Sequence, residues 1–183
     1  MAEDDFDFDV QEFIAKNELS GVKPKHIRPE PDQLVPREKN WTLPGFHGRA
    51  RVMTNFGNLP IMGLRKGDRV KTKSGAFKKV EWTDELRLDE DFLKSFPKAQ
   101  PVEISQNALG ANSPEAGFML SPAQEVMLPR QSSFIELDTV HAHEIVGRHG
   151  VRCAAQVSIS YFLFHCGGEE IVRVEGTWCR VSL

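Results

Sequence analysis

The feature that most constrains this chain is a succession of short segments of alternating polarity, separated by turn residues, that begins near residue 50. Ala50-Arg51-Val52-Met53-Thr54, Asn58-Leu59-Pro60-Ile61, Arg69-Val70-Lys71-Thr72 and Phe77-Lys78-Lys79-Val80-Glu81-Trp82 have roughly the two-residue period of a strand with one buried face. Phe56-Gly57-Asn58 and Ser74-Gly75 stand between them and supply turn residues, so the segments read as hairpins. Asp89 to Phe96 breaks the pattern. Its acids lie in a first turn, Phe92, Leu93 and Phe96 fall at helical spacing, and Pro97 stops it, which predicts one short helix. Strand-like segments resume at Val102-Glu103-Ile104, Gly117 to Leu120, Glu125 to Leu128 and Phe134 to Leu137. A long apolar-rich run from Ala154 to Phe164 follows, then a final pair, Ile171 to Val174 and Thr177 to Val181. About ten short strands and one helix point to an all-β fold. No internal repeat emerges.

The first forty-odd residues have a different texture. Residues 1–22 are acidic: Glu3 to Glu12 carries six acids and no base, and Val10, Phe13 and Ile14 have the spacing of a short amphipathic helix ending near Ser20-Gly21. Alone it would be marginal, so it either docks on a partner surface or frays. Residues 23–44 hold five of the eleven prolines and read as a linker. The domain proper is expected at 45–183. Residues 1–40 have ten acidic and six basic residues, a net of -4 that leaves the rest of the chain at +1, so the net charge of -3 is local to them.

With 40% hydrophobic and 27% charged residues, the 183-residue chain has an ordinary globular composition. There is no basic excess to neutralise phosphates, which argues against nucleic acid. No apolar run approaches the ~20 residues of a membrane span, and the acidic N-terminus is unlike a secretory signal, so the expected location is cytoplasmic, with no membrane partner. Cys153, Cys166 and Cys179 make an odd count without CxxC spacing and read as reduced, buried small residues in successive strands. His141 and His143 would share one face of a strand. With His165 and Cys166 they are the candidates for a metal site, although a structural role is the preferred reading. The basic residues Lys66, Arg69, Lys71, Lys73, Lys78 and Lys79 come from neighbouring hairpins. They form either a solvated, protected edge or a positive face whose simplest partner is an acidic segment such as Glu3 to Glu12.

At Gly45 the sequence begins to resemble a known family. Gly45-Phe46-His47-Gly48-Arg49-Ala50-Arg51-Val52-Met53-Thr54-Asn55-Phe56-Gly57 is similar to the opening block of bacterial Hint (hedgehog/intein) domains, with Phe46, Val52, Thr54 and Gly57 in register. Ile61 to Thr72, with its Gly67-Asp68 pair before Val70-Lys71-Thr72, resembles the next stretch of that family. Val80-Glu81-Trp82, Pro101 to Ile104 with Ala108-Leu109-Gly110, and Leu120-Ser121-Pro122-Ala123-Gln124-Glu125-Val126-Met127-Leu128 resemble further pieces, in order. Tyr161 to Ser182 fits the terminal hairpins.

The resemblance implies a domain that attacks its own backbone. A thiol or hydroxyl on the first residue makes an ester or thioester with the preceding carbonyl, and a nearby His protonates the departing amide nitrogen. By that resemblance the vestigial positions here are Gly45, Ala50, Thr54 and Gln124. Gly45 has no side chain at the nucleophile position. Arg49-Ala50 replaces a Gly-Thr pair, and Gln124 replaces a His with an amide that exchanges no proton near neutral pH. Thr42 is out of register as a displaced nucleophile. Near the C-terminus the family's His aligns with Glu169 or Glu170, or with His165 if the register slips. No Asn ends the chain at Val181-Ser182-Leu183.

The expectation is a Hint fold, catalytically degenerate, without a cofactor, that acts as a binding or structural module toward an unidentified protein partner. The alternative is an autoprocessing protein that still cleaves itself by an N-to-O or N-to-S acyl shift. A His/Cys metal-binding regulator is the outside reading.

Overall fold

Residues 41–130 and 133–182 are described in this computed structural model, and among them are fourteen strands and one α-helix. The expected N-terminal helix and nearly all of the linker, residues 1–40, lie outside the described residues. The first half runs β1 (Phe46–His47), β2 (Arg51–Thr54), β3 (Gly57–Pro60), β4 (Arg69–Lys71), β5 (Phe77–Lys79), β6 (Trp82–Leu88), α1 (Glu90–Ser95) and β7 (Val102–Ile104). The second runs β8 (Phe118–Leu120), β9 (Glu125–Arg130), β10 (Ser133–His141), β11 (Val151–Cys153), β12 (Ile159–His165), β13 (Glu170–Val174) and β14 (Thr177–Val181). The all-β reading holds.

The strands form two antiparallel sheets. One has six strands in the order β11-β7-β8-β1-β12-β6; the other has eight, β10-β9-β14-β13-β2-β4-β5, with β3 also paired to β2. Side-chain alternation decides what each face covers. In β12, Phe162 and Phe164 belong with Val52, Val70, Leu120, Val126, Val172 and Cys179 in the main core, which takes residues from both sheets. Ile159, Tyr161 and Leu163 of the same strand point the other way, into a second core with Leu86, Leu88, Leu93 and Ala99. Helix α1 closes that second core. Asp89 caps it by accepting from the Phe92 N–H at 2.9 Å, and the helix stops at Phe96 before a 3-10 turn over Pro97–Ala99, as its acids, aromatic spacing and proline predict.

Several segments differ from the sequence-based expectations. Trp82 opens a seven-residue strand rather than closing one: Val80 bonds back to the Gly67-Asp68 turn, and β6 then pairs along the whole of β12. The run from Ala154 is strand only from Ile159, because Ala154 N–H bonds Pro101 and Gln156 N–H bonds the Gln100 side chain. His141 and His143 do not share a strand face, since β10 ends at His141 and Ala142–Ile145 is a 3-10 turn. The cysteines divide three ways: Cys179 is buried in β14, Cys166 is half-buried after β12, and Cys153 is exposed at the end of β11. Among the described residues no helix is long and apolar enough to cross a membrane.

The last four residues of the segment read as linker, 41–44, are part of the packed domain. Leu43 is buried in the second core, and the Trp41 ring lies about 6 Å from each of Phe92, Phe96 and Tyr161.

Candidate functional site

Strand β1 lies between β8 and β12 in the six-stranded sheet, so the residue that enters it, Gly45, is held on both sides. Gly45 C=O accepts the Ser121 N–H at 2.8 Å. Its own N–H, which belongs to the Pro44–Gly45 peptide, donates to Gln124 Oε1 at 3.1 Å. Gln124 sits in the Ser121–Gln124 turn between β8 and β9 and is 2% exposed. Its Nε2 donates to Arg180 C=O at 2.7 Å and to Glu125 C=O at 3.1 Å. Every part of this buried amide is therefore engaged, as burial of a polar group requires.

Gly45 takes φ +145°, a backbone region that L side chains rarely adopt. A Cβ there would stand 3.0 Å from Tyr161 Cβ and 3.4 Å from Phe162 O. Tyr161 cannot readily move away: it is fully buried, and its hydroxyl donates to Ala99 C=O at 2.8 Å. The position lacks a nucleophile, and both the backbone and the packing around it oppose the introduction of one.

The chain ahead of Gly45 is gripped by one hydroxyl. Ser121 Oγ donates to Leu43 C=O at 2.5 Å, accepts the Trp41 indole N–H at 2.8 Å, and accepts the Ala123 N–H at 3.2 Å. In the sequence, Ser121 is marked only as part of the Leu120–Leu128 stretch. The signal available was its place three residues before Gln124, in the same turn.

Gly45 and Gln124 line a cavity of about 230 Å³ together with Trp82, His141, His165 and Arg180. His165 ends β12, is 7% exposed, and stacks on Trp82 with 5.5 Å between ring centres. Its Nδ1 faces the Gly167 N–H at 3.0 Å, which requires a lone pair on Nδ1 and leaves the proton of the neutral ring on Nε2. The structure thus brings His165, and neither Glu169 nor Glu170, to the cavity. Glu169 lies 3.4 Å from Arg180 Nε and Glu170 lies 3.1 Å from Lys78 Nζ. Among the described residues Arg180 Nε itself is buried without a hydrogen-bond partner, with Glu125 3.4 Å from the guanidinium Nη1.

Ala50 and Thr54 are outside this cavity. Ala50 is buried and ties the loop before β2 through the Ile61 N–H, while Thr54 Oγ1 donates to Gly57 C=O at 2.7 Å in the β2–β3 turn. Both serve the hairpin.

The metal candidates are scattered. His141 and His143 stack with 5.6 Å between ring centres, and their Nδ1 atoms each lie 3.0 Å from a carbonyl, of Ala123 and Pro122 respectively. His165 is committed to Trp82 and Gly167, and Cys166 has its thiol pushed up to about 11 by burial and then by Glu170. Among the described residues no three His, Cys, Asp or Glu side chains converge as a ligand group. Burial also raises the Cys179 thiol, so neither of these two cysteines is a thiolate near neutral pH.

A comparison with curated protein sequences returns no match. Among solved structures, the bacterial intein-like domain from Clostridium thermocellum is 11% identical with a TM-score of 0.52, over 78% of this chain and 100% of that one. The gp41-1 intein is 10% identical with a TM-score of 0.45, over 75% of this chain and 98% of that one. The Hint domain family model matches residues 44–181. The chain is therefore a member of the Hint domain family.

Proposed function

We propose that this Hint domain has lost the acyl-shift chemistry of its family and acts as a binding or structural module toward a protein partner. The observation that carries the reading is the state of Gly45. No side-chain nucleophile is present there, its φ of +145° suits glycine, and an added Cβ would meet Tyr161 at 3.0 Å. Gln124 supports it. Its Oε1 accepts the Gly45 N–H, but an amide cannot deliver a proton to a leaving nitrogen near neutral pH. The site is in effect a clamp: Gln124 holds one side of the Pro44–Gly45 peptide, and Ser121 holds Leu43 and Trp41.

The test is the intact mass of the full chain before and after long incubation with hydroxylamine or a strong thiol. A single unchanged species near 20.6 kDa is the expected result. Fragments would overturn the reading in favour of an autoprocessing protein, and their masses would locate the nucleophile.

A further inference from the structure

We propose that the open edge of β5 is a docking site for an acidic, aromatic strand, and that its occupant is the Asp5–Val10 segment of this same chain. Among the described residues β5 pairs only with β4 and ends the eight-stranded sheet. The bonds from Thr72 N–H to Ala76 C=O and from Val80 N–H to Asp68 C=O set the phase of that pairing. By alternation, Lys78 turns its N–H and C=O toward β4, while those of Phe77 and Lys79 point to the open side. All three residues of β5 are exposed, so the edge presents unused donors and acceptors.

The side chains around that edge are basic and aromatic. Arg69 lies opposite Lys79 and Lys71 opposite Phe77, so these four share the face turned away from buried Val70. Lys71 Nζ sits 4.8 Å over the Phe77 ring. Lys78 and Lys79 have acidic partners in Glu170 and Glu81, whereas Lys66, Arg69 and Lys73 have none among the described residues. Phe77 is 39% exposed and Phe56, in the adjoining turn, 90%.

Asp5-Phe6-Asp7-Phe8-Asp9-Val10 complements this edge. Its strict alternation places three carboxylates on one face of an extended segment and Phe6, Phe8 and Val10 on the other, and no base interrupts it. Added beside β5, it pairs with the outward groups of Phe77 and Lys79 and lays its carboxylates along Arg69, Lys71 and Lys79. Attachment to the same chain favours this occupant. Residues 11–40 join it to Trp41, a tether of thirty residues that keeps the segment on the same molecule as the edge and raises its effective concentration there above that of a separate peptide. A contact too weak to matter between separate molecules is then substantially formed within one.

The test is amide hydrogen exchange on the full chain, read at Phe77 and Lys79. In the wild type these two amides should exchange about tenfold more slowly than in an Asp5→Lys/Asp7→Lys/Asp9→Lys variant, with added salt removing the difference. Charge reversal at the edge, Arg69→Glu with Lys79→Glu, should restore protection in that variant and abolish it in the wild type. Equal exchange in the wild type and the triple variant overturns the proposal. Protection that falls on dilution also overturns it, by assigning the edge to a second copy of the chain.

Discussion

Gln124 and Gly45, 79 positions apart, are joined by a 3.1 Å hydrogen bond from the Gly45 N–H to the Gln124 side-chain carbonyl. The same amide group reaches Arg180 C=O at 2.7 Å, so one side chain bridges the entry to β1, the start of β9 and the strand β14. Gln124→Leu keeps the volume nearly constant but strands the Gly45 N–H and the Arg180 carbonyl in the interior. Each stranded group costs about 1–3 kcal/mol, so a loss of roughly 2–6 kcal/mol is expected in urea unfolding. A loss under 1 kcal/mol would show that water or backbone movement replaces the amide.

On the proposed reading, a thiol placed at position 45 should not start an acyl shift. Gly45→Cys adds a Cβ 3.0 Å from Tyr161 Cβ in a residue at φ +145°. The expected outcome is a destabilisation of about 1–3 kcal/mol, visible as a lower Tm, with no thiol-induced cleavage at Pro44–Gly45. Cleavage of this variant, seen by intact mass, would show that the surrounding residues still support an acyl shift.

The three thiols should differ in reactivity. Cys153 is exposed, Cys166 is half-buried with its thiol pushed up to about 11, and burial raises Cys179 as well. Alkylation of the native protein at neutral pH should therefore label Cys153 first, Cys166 much more slowly, and Cys179 only on unfolding. Peptide mapping across a time course gives the order. Early labelling of Cys179 would mean that β14 opens readily.

His47 gives a pH signature. Burial, and then the Arg49 guanidinium, lowers its pKa from the ordinary 6.5. The unfolded chain consequently binds more protons than the folded one just below that pH, so stability is complete above 6.5 and declines as the pH falls through that window. His47→Gln should flatten this part of the Tm profile between mildly alkaline and mildly acidic pH. An unchanged slope in the variant would assign the acid sensitivity to other groups.

The clamp on the upstream chain is testable at its centre. Trp41 and Leu43 meet on Ser121 Oγ, with the indole N–H at 2.8 Å. Ser121→Ala and Trp41→Phe should each destabilise by about 1–2 kcal/mol, and the double variant by less than the sum, because they share one hydrogen bond. Strict additivity in a double-mutant cycle would show that Trp41 is held by its aromatic neighbours alone.

Much of the fold was legible because it rests on local rules. Alternation at residues 50–54, 69–72, 171–174 and 177–181 foretold β2, β4, β13 and β14, and Asp89, Phe92 and Pro97 foretold α1 and its end. What escaped was set by partners remote in sequence. The charged run Thr83 to Arg87 has no convincing strand pattern, yet it pairs residue for residue with β12. The apolar run at 154 starts as loop because Pro101 and Gln100 take its N–H groups. Trp41 to Pro44 read as linker from its prolines, although Trp41 finds three aromatic rings that lie 51 to 120 positions away.

At the site the division is the same. The residue types alone established that position 45 has no side chain and that Gln124 cannot act as an acid, since these are properties of the side chains themselves. Only the tertiary structure decided that Gln124 bonds the Gly45 amide, that His165 and not Glu169 or Glu170 faces the cavity, and that Ser121 grips the chain ahead of Gly45. A hydrogen bond across 79 positions depends on where two sheets place their ends, and that placement comes from burying alternate faces of many strands at once, which no short window of sequence contains.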